Sequence, residues 1–381
     1  MMEVASQIGA LGEKYLFWLL PFLFVLTVVV FFHELGHFLV ARWCGVKVKV
    51  FSIGFGKEIF GFYDKHGTRW RFSWIPLGGY VKFIDDDNVA SVPDEESRAR
   101  MTPEELEESF HAKPLPHRAA VVAAGPIANF LLAIVIFAFM FTFVGQRTTL
   151  PIVDMITPGS PAERAGFQPG DLVLSIDGRK VEQFSDMQRI VSQSADHELT
   201  IVVKRGEQKI TLKATPERKE VKGPFGSTVR RALLGIQRSA KPEDWVLVRH
   251  DPLTSLWLGT KQTWFVVTST LGYLSDVITG RESADQLGGP IRIAKVSGDV
   301  AKAGFLALLN LAAVLSVSIG MLNLFPIPML DGGHLLYYAI EAIRGRPLSE
   351  RAQEIGFRIG LAVVLVLMIF ATWNDLIHVF T

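Results

Sequence analysis

One cysteine, Cys44, in 381 residues excludes two kinds of architecture. No intramolecular disulfide can form, so packing must hold the fold, and a cysteine-ligated zinc finger is ruled out. Cys44 stands between Trp43 and Gly45 just past an apolar run and reads as a plain thiol. Charge is scarce as well: Asp, Glu, Lys and Arg make up 20%, and 39 basic against 38 acidic residues leave a net charge of +1. A nucleic-acid binder shows a basic excess, so no nucleic-acid partner is expected. No cleavable leader is expected. Ahead of the apolar run from Tyr15 to Val40 stands Lys14, against Glu3 and Glu13, and the run is too long for a signal peptide. It reads as a retained first membrane span.

Apolar residues are plentiful: 49% of the chain, with 27 Phe and a mean hydropathy of +0.29. That is more than a soluble core of this size absorbs, so part of the surface faces lipid. Runs at about 16–40, 119–144, 305–327 and 357–379 meet the requirement of roughly 20 mostly apolar residues for a transmembrane helix. Between the first two, residues 46–84 are rich in Val, Ile, Phe, Trp and Gly, which suggests strands, and the charged stretch 85–118 reads as a linker with a short helix near 103–110. Between the second and third, 145–250 has β-rich runs (Leu199–Lys204, Lys209–Ala214) broken by Gly, Pro and Asp turns, as a small folded domain does. The stretch 253–278 mixes Trp257 and Trp264 with Lys261, Thr residues and Asp276, a pattern suited to a helix lying in the interface.

Basic residues flank the spans unevenly. Arg42, Lys47, Lys49, Lys113 and Arg118 border the first loop, and Arg344, Arg346, Arg351 and Arg358 the last. The positive-inside rule makes those loops cytoplasmic and puts the 145–250 domain on the far side.

Two motifs carry chemistry. His33-Glu34-Leu35-Gly36-His37 puts two imidazoles four residues apart on one helix face, where they can share an ion. A catalytic zinc takes three protein ligands and leaves a position for water, and a glutamate beside the first ligand can take the water's proton. Such groups inside an apolar span are costly and mark function by default. The second motif runs from Asn323 through Pro326 and Pro328 to Asp331-Gly332-Gly333. Asp331 is a carboxylate among apolar residues in need of a partner, and the two prolines free backbone groups that must be satisfied inside the protein. Asp331 is the leading third ligand, with His334 ranked below it. For Asp331 to reach His33, the third run must cross in the same direction as the first, so 253–278 is expected not to cross.

Taken together, the HELGH run, Asn323–Gly333, Gly125-Pro126-Ile127-Ala128-Asn129, Phe51–Gly56 and Gly78–Phe83 resemble the bacterial site-2 proteases of the regulator of sigma-E protease type. The likeness covers nearly the whole chain. It implies an α-helical polytopic membrane protein with four transmembrane helices, a membrane-associated β-loop and an inserted periplasmic domain. It also implies a Zn2+-dependent endopeptidase of the bacterial inner membrane with its active site toward the cytoplasm. Such enzymes cut single-pass transmembrane proteins, such as an anti-sigma factor, in regulated intramembrane proteolysis within the lipid bilayer. By that resemblance His33, His37 and Asp331 are the metal ligands and Glu34 is the catalytic acid/base. Asn323 lies on the substrate-holding side, and Gly79, Tyr80 and Val81 lie on an edge that pairs with unwound substrate, with Trp70, Phe72, Trp74, Tyr80 and Phe83 as apolar contacts.

The run Val153–Gly178, with Ser160-Pro161-Ala162 and Gly170-Asp171, is similar to a PDZ domain of the bacterial protease type, an α+β fold that takes a peptide end. One clear copy fits. The expected division is 1–144 as the first membrane part, 145–217 as the PDZ domain, 218–304 as linker and interfacial helices, and 305–381 as the second membrane part. A non-catalytic membrane PDZ scaffold is the alternative function, and the intact Glu34 argues against it. A transporter needs neither the HExxH spacing nor a PDZ domain.

Overall fold

The structure, a computed structural model, describes residues 2–85, 101–222, 228–238, 244–284 and 288–380. Residues 86–100 of the expected charged linker lie outside the described residues. Two compact units form: Met1–Phe139 with Pro252–Thr381, and Met140–Asp251 inserted between them. Along the chain, α1 (Met2–Trp43) leads into β1 (Val48–Tyr63), β2 (Arg69–Phe83), α2 (Pro103–Glu107) and α3 (Leu115–Phe139), which ends in a π turn at Met140–Val144. The insert contains β3 (Gln146–Thr148), β4 (Met155–Ile156), α4 (Pro161–Arg164), β5 (Leu172–Ile176), β6 (Arg179–Lys180), α5 (Phe184–Gln193), β7 (Leu199–Arg205), β8 (Gln208–Ala214), β9 (Glu217–Lys222), β10 (Thr228–Leu233), β11 (Ile236–Gln237) and β12 (Val246–Val248). There follow α6 (Pro252–Ile278), α7 (Pro290–Lys302), α8 (Phe305–Asn323), α9 (Asp331–Arg344) and α10 (Glu350–Phe380).

Phe17–Trp43, Leu115–Val144, Phe305–Asn323 and Arg351–Ile377 are long and apolar enough to cross a membrane, and α6 is not among them. The third run ends earlier than the expected 327. Pro326 and Pro328 cannot continue the helical ladder, and after a turn with Met329 at φ +101° a new helix, α9, opens at Asp331. In lipid, helices associate through small residues that let backbones approach, and this bundle follows that rule. A Cβ on Gly36 would sit 2.3 Å from the Ala124 carbonyl of α3, and one on Gly320 of α8 3.0 Å from Asn129 Cβ. Val25 and Val29 of α1 bury against Leu308 and Ala312 of α8.

β1 and β2 fold on themselves. Val50–Ile53 pairs with Lys82–Gly79 on one side and with Arg69–Phe72 on the other, and Phe60–Tyr63 pairs with Phe72–Arg69. Gly79–Phe83 is therefore an outer edge of this small sheet, and no other strand among the described residues pairs with it. Its end is anchored by buried Asp85, which accepts from the Ser109 hydroxyl (2.7 Å), the Phe110 and His111 amides (3.2 and 2.9 Å) and His111 Nδ1 (2.8 Å). Burial opposes the Asp85 charge, yet the His111 ring and amide and the Ser109 hydroxyl hold its carboxyl well below the usual carboxylate range. A depressed carboxyl contributes stability above the unfolded pKa of about 4 and loses it only as pH falls through the folded value. The anchor is thus fully formed at neutral pH. Asp85→Ala is expected to speed amide exchange across Gly79–Phe83 by roughly 10- to 100-fold, the worth of one charge-assisted hydrogen bond of about 1.5–3 kcal/mol, with helix content unchanged by circular dichroism.

The insert has its own core: Val153, Phe167, Val173, Ile176, Leu199, Ile201, Val203 and Leu234 are all buried. Its main sheet has the order β6-β5-β7-β8, and Asp177-Gly178, both at positive φ, form the tight turn from β5 to β6 that this dipeptide favours. The expected boundary at 217 falls short, because the following stretch completes the fold. β11 pairs with β4 and β12 with β3, Leu234 enters the core, and its carbonyl accepts from the Ala162 amide at 2.9 Å. Residues 239–243 of that stretch lie outside the described residues.

Candidate metal centre

His33 and His37 lie in the second half of the apolar part of α1, one turn apart, and Asp331 is the first residue of α9. Their ligand atoms converge. His33 Nε2 and His37 Nε2 are 3.2 Å apart, and Asp331 Oδ2 is 3.2 Å from the first and 3.6 Å from the second. Three tetrahedral bonds of about 2.0–2.1 Å to zinc put ligand atoms roughly 3.3–3.4 Å from one another, so the three atoms occupy corners of the right size. A second observation agrees. Asp331 Oδ2 is buried and, despite its closeness to both rings, makes no hydrogen bond of acceptable geometry. The three ligand atoms all lie within 4.8 Å of one another, close enough to share one ion. Among the described residues this is the one His, Cys, Asp and Glu group that could hold a metal ion, and His334 is outside it.

α3 brackets both histidines. Val121, Gly125 and Asn129 are four residues apart and share one stripe of the helix. The Val121 carbonyl accepts from His37 Nδ1 at 2.8 Å, which fixes that ring's proton on Nδ1 and leaves Nε2 bare for metal. The Asn129 side-chain amide is 3.3 Å from His33 Nδ1. Gly125 faces the rings directly: a Cβ there would lie 2.3 Å from His37 Nε2 and 2.8 Å from His33 Cε1. Gly125→Ala is therefore expected to displace the ligand nitrogens and lower the activity of the site about 100-fold, the usual cost of a 1 Å misplacement at a reacting centre. The zinc content and turnover of the purified variant check this.

Glu34 points toward the β-sheet edge. A Cβ on Gly79 would be 3.3 Å from Glu34 Cγ, so glycine lets the strand lie against the carboxyl, and the backbone amide of Val81 faces the same group. Tyr80 stacks with Phe55 at 6.1 Å between ring centroids. Asn323 ends α8, half-buried, on the turn that leads to Asp331. The aromatics expected as apolar contacts divide. Phe72 and Trp74 are exposed (38% and 67%). Trp70 packs on Phe51 and Phe38 and donates to Asp64, and Phe83 stacks on Phe110, so these two belong to the protein's own packing.

The roles of Gly125 and Asn129 were not read from the sequence, where they entered only as part of a resemblance. The available signal was an amide side chain inside an apolar span, one helical turn beyond a glycine.

The profile of peptidase family M50 matches residues 21–367. A protein of Rhizobium meliloti (strain 1021), named by inference a zinc metalloprotease, is 50% identical over 355 residues, covering 93% of this chain and 95% of that one. A similarly named protein of Agrobacterium fabrum (strain C58 / ATCC 33970) is 47% identical, covering 94% and 95%. Metalloprotease MmpA of Caulobacter vibrioides is 41% identical, covering 95% and 96%. Among solved structures, the HtrA3 PDZ domain bound to a phage-derived ligand is 26% identical over 19% of this chain and 81% of that one, at a TM-score of 0.17, too slight a likeness to bear on the fold.

Proposed function

The chain belongs to peptidase family M50 and is a membrane zinc metalloprotease, and from that premise we propose that it cleaves single-pass transmembrane proteins within or at the edge of the bilayer. The observation that carries the reading is the convergence of His33 Nε2, His37 Nε2 and Asp331 Oδ2 beside an apolar bundle. These three residues would hold the zinc, which when bound would supply Lewis acidity for attack of water on a peptide carbonyl. Glu34 takes the proton from that water and returns it to the leaving amine.

A helical substrate hides each peptide bond in its own hydrogen-bond ladder. Pairing as an added strand with the Gly79–Phe83 edge satisfies the unwound backbone and brings a peptide bond alongside Glu34, since Gly79 lies against that side chain. Gly79, Tyr80 and Val81 are the docking positions, and Asn323 borders the path. The loops rich in Lys and Arg face the cytoplasm of a bacterial inner membrane; four helices cross, α6 lies in the interface, and the insert is periplasmic. There the insert works as a PDZ domain that takes a peptide end and restricts access to already shortened substrates, as regulated intramembrane proteolysis of an anti-sigma factor requires.

The test is cleavage in lipid vesicles. The purified chain and a single-pass substrate are co-reconstituted, with and without a zinc chelator. Chelator-sensitive cleavage restored by added zinc is the expected result. Cleavage indifferent to the chelator overturns the mechanism, and no cleavage with zinc bound favours the scaffold.

A further inference from the structure

We infer that Asn129 is a positioning residue that holds His33 in its zinc-binding tautomer, its side-chain oxygen accepting the proton on Nδ1. This deepens the protease reading above and rests on it. Asn129 is completely buried, and its place is fixed from α8: the Ser316 hydroxyl donates to its backbone carbonyl at 2.8 Å, and Gly320 lets α8 approach its Cβ. Its side chain therefore reaches His33 from a rigid base. In the structure Nδ2 is the end placed 3.3 Å from His33 Nδ1, and Oδ1 is buried with no partner.

Those two facts conflict with a metal site unless the amide is reversed. If Nδ2 donates to Nδ1, the ring proton must sit on Nε2, the atom aimed at His37 and Asp331, and a protonated nitrogen cannot bind zinc. The two ends of an amide have the same shape, so turning it over costs no space. Oδ1 then accepts from Nδ1, and Nε2 is left bare. Either orientation leaves one end of the amide without a protein partner, but only the reversed one makes His33 a ligand. His37 shows the same logic with no ambiguity, because the Val121 carbonyl opposite its Nδ1 can only accept. The two ligands are thus held alike from one face of α3, one by a backbone carbonyl and the other by a side chain that mimics it.

Outer-shell partners of this kind are worth 10- to 100-fold in metal affinity. The experiment compares the full-length chain with Asn129→Asp, which keeps an acceptor in place, and Asn129→Leu, which has none. Zinc affinity is read by competition with a chromophoric chelator, and the cobalt-substituted forms by their visible absorption. Asn129→Leu is expected to lose 10- to 100-fold in zinc affinity and to change the cobalt spectrum, while Asn129→Asp stays within about threefold of wild type. Equal losses in both variants, or no loss in Asn129→Leu, overturn the inference. Should Asn129→Leu fail to fold, 15N-histidine spectra of the zinc-free wild type read the tautomer directly, before any metal on Nε2 can impose it. A proton on His33 Nδ1 supports the assignment, and a bare Nδ1 overturns it. A wild-type chain that binds no zinc fails at the earlier step and overturns the protease reading itself.

Discussion

Glu34→Gln is expected to lower peptide-bond cleavage by about 10³-fold or more while leaving zinc in place. A positioned acid/base contributes about 10²- to 10⁴-fold, and glutamine keeps the shape of glutamate but cannot accept a proton. The surroundings make the loss hard to compensate. Glu34 sits between the ligand His33 and the Gly79–Phe83 edge, where the strand lies against its side chain, so a replacement base has little room to enter. Because Glu34 is not one of the three converging groups, the variant should still bind one zinc per chain. Glu34→Asp keeps the charge but withdraws it by one methylene, and a loss of about 100-fold is expected from that displacement. Metal content and single-turnover cleavage, measured on the same preparations, check both variants.

The second large effect is at Asp331. Asp331→Ala removes one of three ligands from a site with no spare donor: His334, one turn further along α9, is outside the group of converging atoms. Structural four-ligand zinc sites bind with about 10–16 kcal/mol, so each ligand is worth on the order of 3 kcal/mol, and zinc affinity should fall by about 10²-fold or more. Proteolysis should fall with it and recover only in part at high zinc, because the two histidines cannot by themselves fix the ion. His334→Ala should leave zinc affinity within about threefold of wild type. Isothermal titration of metal-free protein separates the two outcomes.

Some of this was legible in the sequence for plain physical reasons. The HELGH run specifies its own geometry, since four residues on a helix return to the same face, and its place in an apolar span makes a passive role expensive. Asp331 was legible for the same cost, and the prolines ahead of it marked the break from which α9 starts. The contribution of α3 was not. A glycine and an asparagine in an apolar helix read as packing until the register of α3 against α1 is known, and that register depends on contacts such as Gly36 on Ala124 between residues far apart in the chain. That the residues after 217 complete the insert's fold escaped for a related reason. β11 is two residues long and belongs to the domain only through its pairing with β4, which no local pattern announces. Strands were expected between the first spans, yet their bulged, doubled pairing makes Gly79–Phe83 an edge and draws Trp70 into the interior. Alternation along a strand shows which residues share a face, but not which neighbour lies beside them.

The most direct test of the central claim is where the substrate is cut. Zinc-loaded protein and a single-pass substrate, reconstituted together in lipid vesicles, give products whose new termini can be read by mass spectrometry, with Glu34→Gln as the control. The account predicts termini within or at the edge of the substrate's transmembrane segment and no product from the variant. Termini confined to the substrate's soluble flanks, or equal product from Glu34→Gln, would contradict it.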